Sequence, residues 1–518
     1  MMAAGVTQGF SLERMLDALV MTGDASIHGV RCLGLSSDSR QVRPGDVFFA
    51  LSGTRQDGGA FIGMALDRGA VAVIHESPVD DLLKENARRR QVPMLHDPAL
   101  REHLGIFAGR FHGDPSRHLK VVAVTGTDGK TSVSHFVAQA IDILTARVHS
   151  CGIIGTTGNG FYKSLTAGTH TTPDALTLQS LLADMLAQKA AYVSMEASSH
   201  ALEQGRMSGM HIEVAILTNL GRDHLDYHLN LEAYRQAKSR LFAWPDLQSG
   251  VLNIQDEFGR DLWDSHHRRY PITVYGIGDA DFDLTRAEDW VWGRIAAFHD
   301  KGFLLRLSAP EGNFDIEASL LGSFNAKNVL AVASTLRRLN FGMEEIAKAI
   351  AKLRPVRGRM QLLEKPGYPS VIIDYAHTPQ ALETVLKEAR RHVTGRLHCV
   401  FGCGGNRDAG KRPLMGGIAA RFADRVIVTD DNPRNEPPQK ITADILAGCS
   451  NAGSVQVIHD RAQAILAALD EAVPGDVVLV AGKGHETYQE IAGVKKPFSD
   501  QSVVCTAFGM REDGDEVQ

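Results

Sequence analysis

The chain has 518 residues, 44% of them hydrophobic, and 55 basic against 61 acidic side chains give a net charge of −6. That length predicts two to four domains rather than one core, and the mildly acidic, interspersed charge excludes the basic footprint of a nucleic-acid-binding protein. No run approaches a membrane span, the start MMAAGVTQGFSLERML lacks a basic-then-apolar signal pattern, and the six scattered cysteines (Cys32, Cys151, Cys399, Cys403, Cys449, Cys505) form no CxxC pair, so the expectation is a cytoplasmic protein with reduced thiols.

In chain order, GDVFFAL and AVAVI read as strands and PALREHLGIFAGRF as a helix, before the turn-rich HGDPSRHLK marks a boundary near residue 118. A second block, 119–354, opens with the β-branched run LKVVAVTG, as expected of a buried parallel strand. TPDALTLQSLLADMLAQ reads as a helix with Thr172 as N-cap and Pro173 at its first position. YVSMEAS and VAILTNL read as strands, LEAYRQAKSRLF as an amphipathic helix, and the block ends after MEEIAKAIAKL. The third block, 355–518, alternates again, with SVIIDYA, LHCVFGCGG, DRVIVTDD, VQVIHD and DVVLVAGKG as strands. The prediction is three α/β domains with mostly parallel sheets, the central one of P-loop type and the last Rossmann-like, with ligands beyond the strand C-termini.

The strongest chemical signal is AVTGTDGKTS, where a strand runs through a glycine turn into Lys130, Thr131 and a helix. Backbone N–H groups and a helix N-terminus cradle phosphate, a lysine neutralises it and a hydroxyl holds Mg²⁺. The strict phosphate-loop pattern wants glycine where Val124 stands, so a plain strand–turn–helix junction is the rival reading. In SMEASSHAL, Glu196 suits Mg²⁺ coordination or a polar strand end with a capping serine. In TNLGRDHLDYH, His224 and His228 beside Asp223 and Asp226 suit capping and hydrogen bonding, or zinc without an evident third ligand. Lys238, alone on its helix, reads as a solvated charge.

In the third block, four polar strand ends converge in the predicted sheet: DYAHTP with Asp374 and His377, FGCGGNRDAGKR with Arg407, Asp408, Lys411 and Arg412, DNPR with Asp431, Asn432, Pro433 and Arg434, and AGKGHE with Gly482, Lys483, His485 and Glu486. Fixed cations and carboxylates on one sheet edge suit a zwitterionic amino acid and a transferring phosphoryl group.

Taken in order, SSDSRQVRPGDVFFAL, TGTDGKTS, TTPDA, MEASSHAL, TNLGRDHLDYH, AKSRLF, GSFNAKN, VRGRM, DYAHTP, FGCGGNRDAGKRP, DDNPR and AGKGHE resemble the Mur ligases of peptidoglycan synthesis over nearly the whole chain. The resemblance implies ATP-driven amide formation on the D-Glu γ-carboxylate of UDP-N-acetylmuramoyl-L-Ala-D-Glu, through an acyl phosphate, by a monomer that closes its domains around substrate. It implies a UDP-sugar domain (1–118) with Ser39, Thr54, Arg55 and Gln56 near the uridine diphosphate, an ATP domain (119–354) and an amino-acid domain (355–518). Gly126, Thr127, Asp128, Gly129, Lys130, Thr131 and Ser132 would hold phosphate, with Asn325 and His377 near the adenine nucleotide. Thr171, Thr172, Ser198, Gln204 and Arg206 would hold the muramoyl dipeptide. Lys130, Glu196, His224 and Lys238 are the implied catalytic set; Thr131, Glu196 and Lys238, the last as a CO₂-derived carbamate, would bind Mg²⁺.

DNPR resembles the signature of members that add meso-diaminopimelate, with Arg434 pairing the distal carboxylate that lysine lacks and Arg407, Asp431, Asn432, Pro433, Gly482 and Glu486 completing the pocket. Asp128 stands where the family usually has Asn, and His170 where relatives often carry Asn, so His170 is not carried over as a contact. Two rivals remain: a folylpolyglutamate synthase-like ligase, against which SDSR and DNPR speak, and a non-catalytic nucleotide-binding regulator, against which the intact Lys130, Glu196, Lys238 and His377 speak.

Overall fold

The computed structural model describes residues 9–19, 27–53, 57–279, 281–449 and 455–511. By its contacts the chain divides into two compact units, one of Met1–Gly276, Ala280–Val291 and Ala331–Ile346, the other of Ile277–Asp279, Trp292–Leu330 and Ala347–Gln518. The first unit takes in the expected first block and most of the second. Close packing joins them: helix Leu100–Phe111 shares an apolar cluster with Ala175, and a Cβ on Gly105 would stand 2.1 Å from the Ser208 carbonyl.

The first block forms a four-stranded parallel sheet of Gly34–Ser36, Asp46–Ala50, Ala72–His75 and Met94–His96 in that order. Side chains alternate across its strands. Val47, Phe49 and Ile74 face one buried cluster, while Phe48, Ala50 and Val73 face another. Both faces are therefore covered, as the uninterrupted apolar runs require.

The second block places parallel strands in the order Cys151–Gly155, Tyr192–Glu196, Lys120–Thr125, Val214–Leu217, Ser249–Asn253 and Ile272–Ile277. Lys120–Thr125 thus lies inside the sheet, and its C-terminal end opens beside those of Tyr192–Glu196 and Val214–Leu217. Gly158–Phe161 and Ser164–Thr166 add antiparallel strands at one edge, so the sheet is mixed rather than wholly parallel. One predicted boundary moves. The helix Ala175–Ala187 is capped by Asp174, whose side chain accepts from Thr177 N, and not by Thr172. The Thr172 hydroxyl instead donates to the Glu196 carbonyl at 2.7 Å.

In the second unit a six-stranded sheet runs Gln361–Leu363, Ser370–Asp374, Val477–Ala481, Leu397–Phe401, Arg425–Val428 and Val455–Val457, antiparallel only at the first pair. Ile372, Cys399, Phe401 and Leu479 face one core, and Val371, Ile373, Val400 and Val480 the other. The fully buried Arg461 pairs through Nε with Asp500 at 2.7 Å and donates to the Ala481 carbonyl, fixing a strand end. A separate two-stranded hairpin joins Tyr488–Ile491 to Val494–Pro497. No helix among the described residues is long and apolar enough to cross a membrane.

Candidate active site

At the end of Lys120–Thr125 the chain turns on Gly126 (φ 148°) and Gly129 (φ 83°) into helix Lys130–Leu144. A Cβ at Gly126 would lie 1.8 Å from Thr218 Oγ1, so only glycine fits. The loop is held from the neighbouring strand end. Thr218 Oγ1 donates to the Asp128 carbonyl at 2.6 Å, Asn219 Oδ1 accepts from Asp128 N, and Gly221 N donates to Thr127 Oγ1 at 2.7 Å. Asp128 therefore serves through its backbone while its side chain is exposed. Lys130 Nζ curls over the loop, donating to the carbonyls of Gly126 at 2.9 Å and Thr127 at 2.8 Å. A glycine loop at a helix start with a lysine over it has the geometry that suits phosphate oxygens.

Glu196, 1% exposed, ends the adjacent strand. Its carboxylate accepts from Thr131 Oγ1 at 3.1 Å, Thr156 N at 2.8 Å and Thr156 Oγ1 at 3.1 Å. Gly155 gives it room, since a Cβ there would stand 2.4 Å from Glu196 Oε1. A carboxylate and a hydroxyl at the mouth of such a loop are the hard oxygen donors that fit Mg²⁺, which commonly takes one or two protein ligands and fills its shell with phosphate and water.

Lys238 is not a solvated charge. It is 1% exposed, donates to the Gly126 carbonyl at 2.7 Å and lies 4.4 Å above the Tyr234 ring. Burial, reinforced by the charge of Lys130, holds its ammonium well below the usual lysine range. Tyr234, one helical turn earlier, reaches Thr127 Oγ1 with its hydroxyl at 3.3 Å. That i, i+4 spacing was the available signal for its role. His200, His224, Tyr227 and His228 group around it, and His228 Nε2 lies 2.9 Å from Ser199 Oγ. Of the two readings for these histidines, hydrogen bonding is the one observed for His228. Among the described residues no three His, Cys, Asp or Glu side chains group to ligate a metal.

The dipeptide candidates form one network. Thr172 Oγ1 lies 3.2 Å from Ser198 Oγ, Arg206 Nη1 donates to the Thr172 carbonyl at 2.8 Å, and Arg206 Nη2 donates to Gln204 Oε1 at 2.7 Å. Thr171 pairs with Thr156 at 3.1 Å. Gln204 and Arg206 line a pocket of about 200 Å³ with Arg101, Asp174 and His170, so the structure places His170 among residues from which sequence had left it out. Ser39 is buried, its hydroxyl against Met64 Sδ at 3.4 Å. Thr54, Arg55 and Gln56 lie outside the described residues.

In the second unit the four polar strand ends do share one sheet edge, because Ser370–Asp374, Val477–Ala481, Leu397–Phe401 and Arg425–Val428 are parallel neighbours. Arg434 takes a left-handed backbone (φ 53°). The hairpin seats it: Arg434 N donates to the Glu490 carbonyl at 2.9 Å, and Arg434 Nε lies 3.3 Å from Glu490 Oε2. Its Nη1 donates to the Gly405 carbonyl at 2.9 Å. Gly405 is required, since a Cβ would meet the Pro433 carbonyl at 1.9 Å. Asn432 Nδ2 donates to Glu486 Oε2 at 2.9 Å, and a Cβ on Gly482 would stand 2.6 Å from Asp431 Oδ2. Arg407 is exposed beside Gly404. His377 Nδ1 lies 2.8 Å from the Tyr375 carbonyl, and buried Asn325 donates to the Leu321 carbonyl at 2.7 Å. Around the same edge His485 is pulled down to about 3 by burial and by the charges of Arg359, Arg357 and Lys483.

A glycine loop under Lys130, a buried carboxylate and a buried amine lie in one unit, and an edge of polar strand ends lies in the other. Family models match residues 31–112 (Mur ligase family, catalytic domain), 124–336 (Mur ligase middle domain) and 358–484 (Mur ligase, glutamate ligase domain). The UDP-N-acetylmuramoyl-L-alanyl-D-glutamate–2,6-diaminopimelate ligase of Ectopseudomonas mendocina is 48% identical over 92% of this chain and 95% of its own. The chain belongs to the Mur ligase family. The enzyme of the same name from Coxiella burnetii is 41% identical over 95% of this chain and 98% of its own. A solved structure of such a ligase matches this Mur ligase with a TM-score of 0.67 at 38% identity, covering 92% of this chain and 95% of its own. The three-domain α/β fold expected from sequence is thus the family's, and this Mur ligase is an enzyme of the ATP-dependent, amide-forming kind. The folylpolyglutamate synthase of Mycobacterium tuberculosis, at 16% identity and a TM-score of 0.58 over 78% of this chain and 94% of its own, shares the fold alone.

Proposed function

We propose that this Mur ligase joins meso-2,6-diaminopimelate to the D-Glu γ-carboxylate of UDP-N-acetylmuramoyl-L-Ala-D-Glu in the cytoplasm, acting as a monomer. The observation that carries the reading is the second unit's strand-end edge, where Arg434 and Arg407 stand with Asp431 and Glu486. Two cations and two carboxylates suit an amino acid with a zwitterion at its far end. Lysine, without that distal carboxylate, offers Arg434 no partner beyond Glu490 and Gly405, and a hydrogen bond to a charged group contributes about 1.5–3 kcal/mol.

In this reading residues 1–118 bind the UDP-sugar, 119–354 ATP and 355–518 the amino acid. The γ-carboxylate attacks the γ-phosphorus of ATP and ADP departs, leaving an acyl phosphate. The amine then attacks the acyl carbon, and the tetrahedral adduct expels phosphate. The protein's part is to position and neutralise. The loop N–H groups and Lys130 hold phosphate oxygens, and Thr131 and Glu196 would hold Mg²⁺, which supplies charge neutralisation there. Thr171, Thr172, Ser198, Gln204 and Arg206 orient the dipeptide. Lys238 has the chemistry of a carbamate former: a neutral amine adds its lone pair to CO₂ and releases one proton, giving a buried carboxylate-like ligand.

The deciding experiment measures phosphate release with ATP, Mg²⁺, bicarbonate and the UDP-dipeptide, comparing meso-diaminopimelate with L-lysine. Release with diaminopimelate alone is expected. Release with lysine instead would overturn the reading of Arg434.

A further inference from the structure

Lys483 is one of the strand-end cations but has been given no role of its own, and its side chain is wholly buried on that edge. Its Nζ donates to Glu486 Oε2 at 2.8 Å and Asn432 Oδ1 at 3.1 Å. Asn432 is held at every polar atom of its side chain and by its carbonyl. Oδ1 also accepts from Glu490 N at 2.9 Å, Nδ2 donates to Glu486 Oε2, and the Asn432 carbonyl accepts from Gly405 N at 2.9 Å. Two residues further on, Arg434 occupies its left-handed conformation on the same partners, Glu490 and Gly405.

One cation therefore ties three loops together: the strand end that carries it, the Asn432–Arg434 turn and the start of the hairpin. Without it, Glu486 Oε2 would keep a single donor, the Asn432 amide, and Asn432 Oδ1 would keep only the Glu490 N–H. Glu486 would then be a poorly compensated carboxylate held by the Asn432 amide alone. Lys483 also clamps only one oxygen of Glu486, which leaves Oε1 without a protein donor among the described residues and able to accept from an ammonium.

We propose that Lys483 is a positioning residue for amino-acid selection: it holds Asn432 and Glu486 so that Arg434 and Glu486 Oε1 meet the carboxylate and ammonium of the incoming amino acid's distal end. This rests on the reading of Arg434 given above.

The test is steady-state kinetics of Lys483→Met with each of the three substrates varied in turn, alongside Arg434→Ala and the thermal midpoint of each variant. For Lys483→Met the KM for diaminopimelate is expected to rise at least about tenfold, while the KM values for ATP and the UDP-dipeptide stay within about twofold. A purely structural lysine would instead lower the thermal midpoint and leave the three KM values in their original ratio, which would overturn the proposal. If Lys483→Met does not fold, Lys483→Arg serves. Its planar fork cannot reproduce the paired contacts at 2.8 and 3.1 Å, so the same selective rise in KM is expected, and an unchanged KM refutes the idea. The two readings fail separately. If Arg434→Ala leaves the diaminopimelate KM unchanged, the reading of Arg434 falls. If Arg434→Ala raises it and the Lys483 variants do not, only the role of Lys483 falls.

Discussion

An amine that is 1% exposed and shares the Gly126 carbonyl with a second lysine is pushed by burial toward its neutral form. For Lys238→Ala, turnover is expected to fall by about a hundredfold or more, the usual loss when a preorganised charge-stabilising group is removed. With ¹³C-bicarbonate, a carbamate resonance is expected for the parent protein and not for the variant. Arg434→Ala is expected to raise the diaminopimelate KM at least about tenfold with little change for the UDP-dipeptide. At this scale the sequence is uneven. The positions of Lys130 and Arg434 just beyond strand ends are legible because motifs surround them. Burial of Lys238 depends on a helix docking that no local pattern encodes, and only family resemblance singled it out. Thr172 was misread as a cap because Asp174, two residues on, competes for the same job with a charged acceptor.

The strand–loop–helix element at 120–144 works because its turn has no side chain where Thr218 must pass. Gly126→Ala would force a Cβ to within 1.8 Å of Thr218 Oγ1, so ATP affinity by calorimetry is expected to fall at least about tenfold, one lost phosphate contact being enough. Parallel strands such as Lys120–Thr125 and Val477–Ala481 were legible because burial on both faces writes itself as an unbroken apolar run. The hairpin Tyr488–Ile491 with Val494–Pro497 was not, since YQEI is half-buried and VKKP exposed, and both are short, charged and without periodicity to read. It is nevertheless the element on which Arg434 rests.

Over the whole molecule, His485 makes stability depend on pH. The native protein keeps it neutral down to about 3, whereas in the unfolded chain it takes up a proton near its ordinary value of about 6.5. Between those values the unfolded state binds more protons, so its contribution is complete above the upper value and is lost as pH falls through the window. Urea midpoints of His485→Gln are expected to decline less than the parent's from pH 7 to pH 5. All six thiols are buried and none is in a disulfide, so a thiol reagent is expected to label none in the native protein and every one in guanidinium. The hairpin that seats Arg434 lies outside the six-stranded sheet and is contiguous in sequence. On the proposed reading of Arg434, substitutions there are expected to alter amino-acid recognition without disturbing the strands that carry the rest of the edge, which makes the hairpin a short, separable cassette.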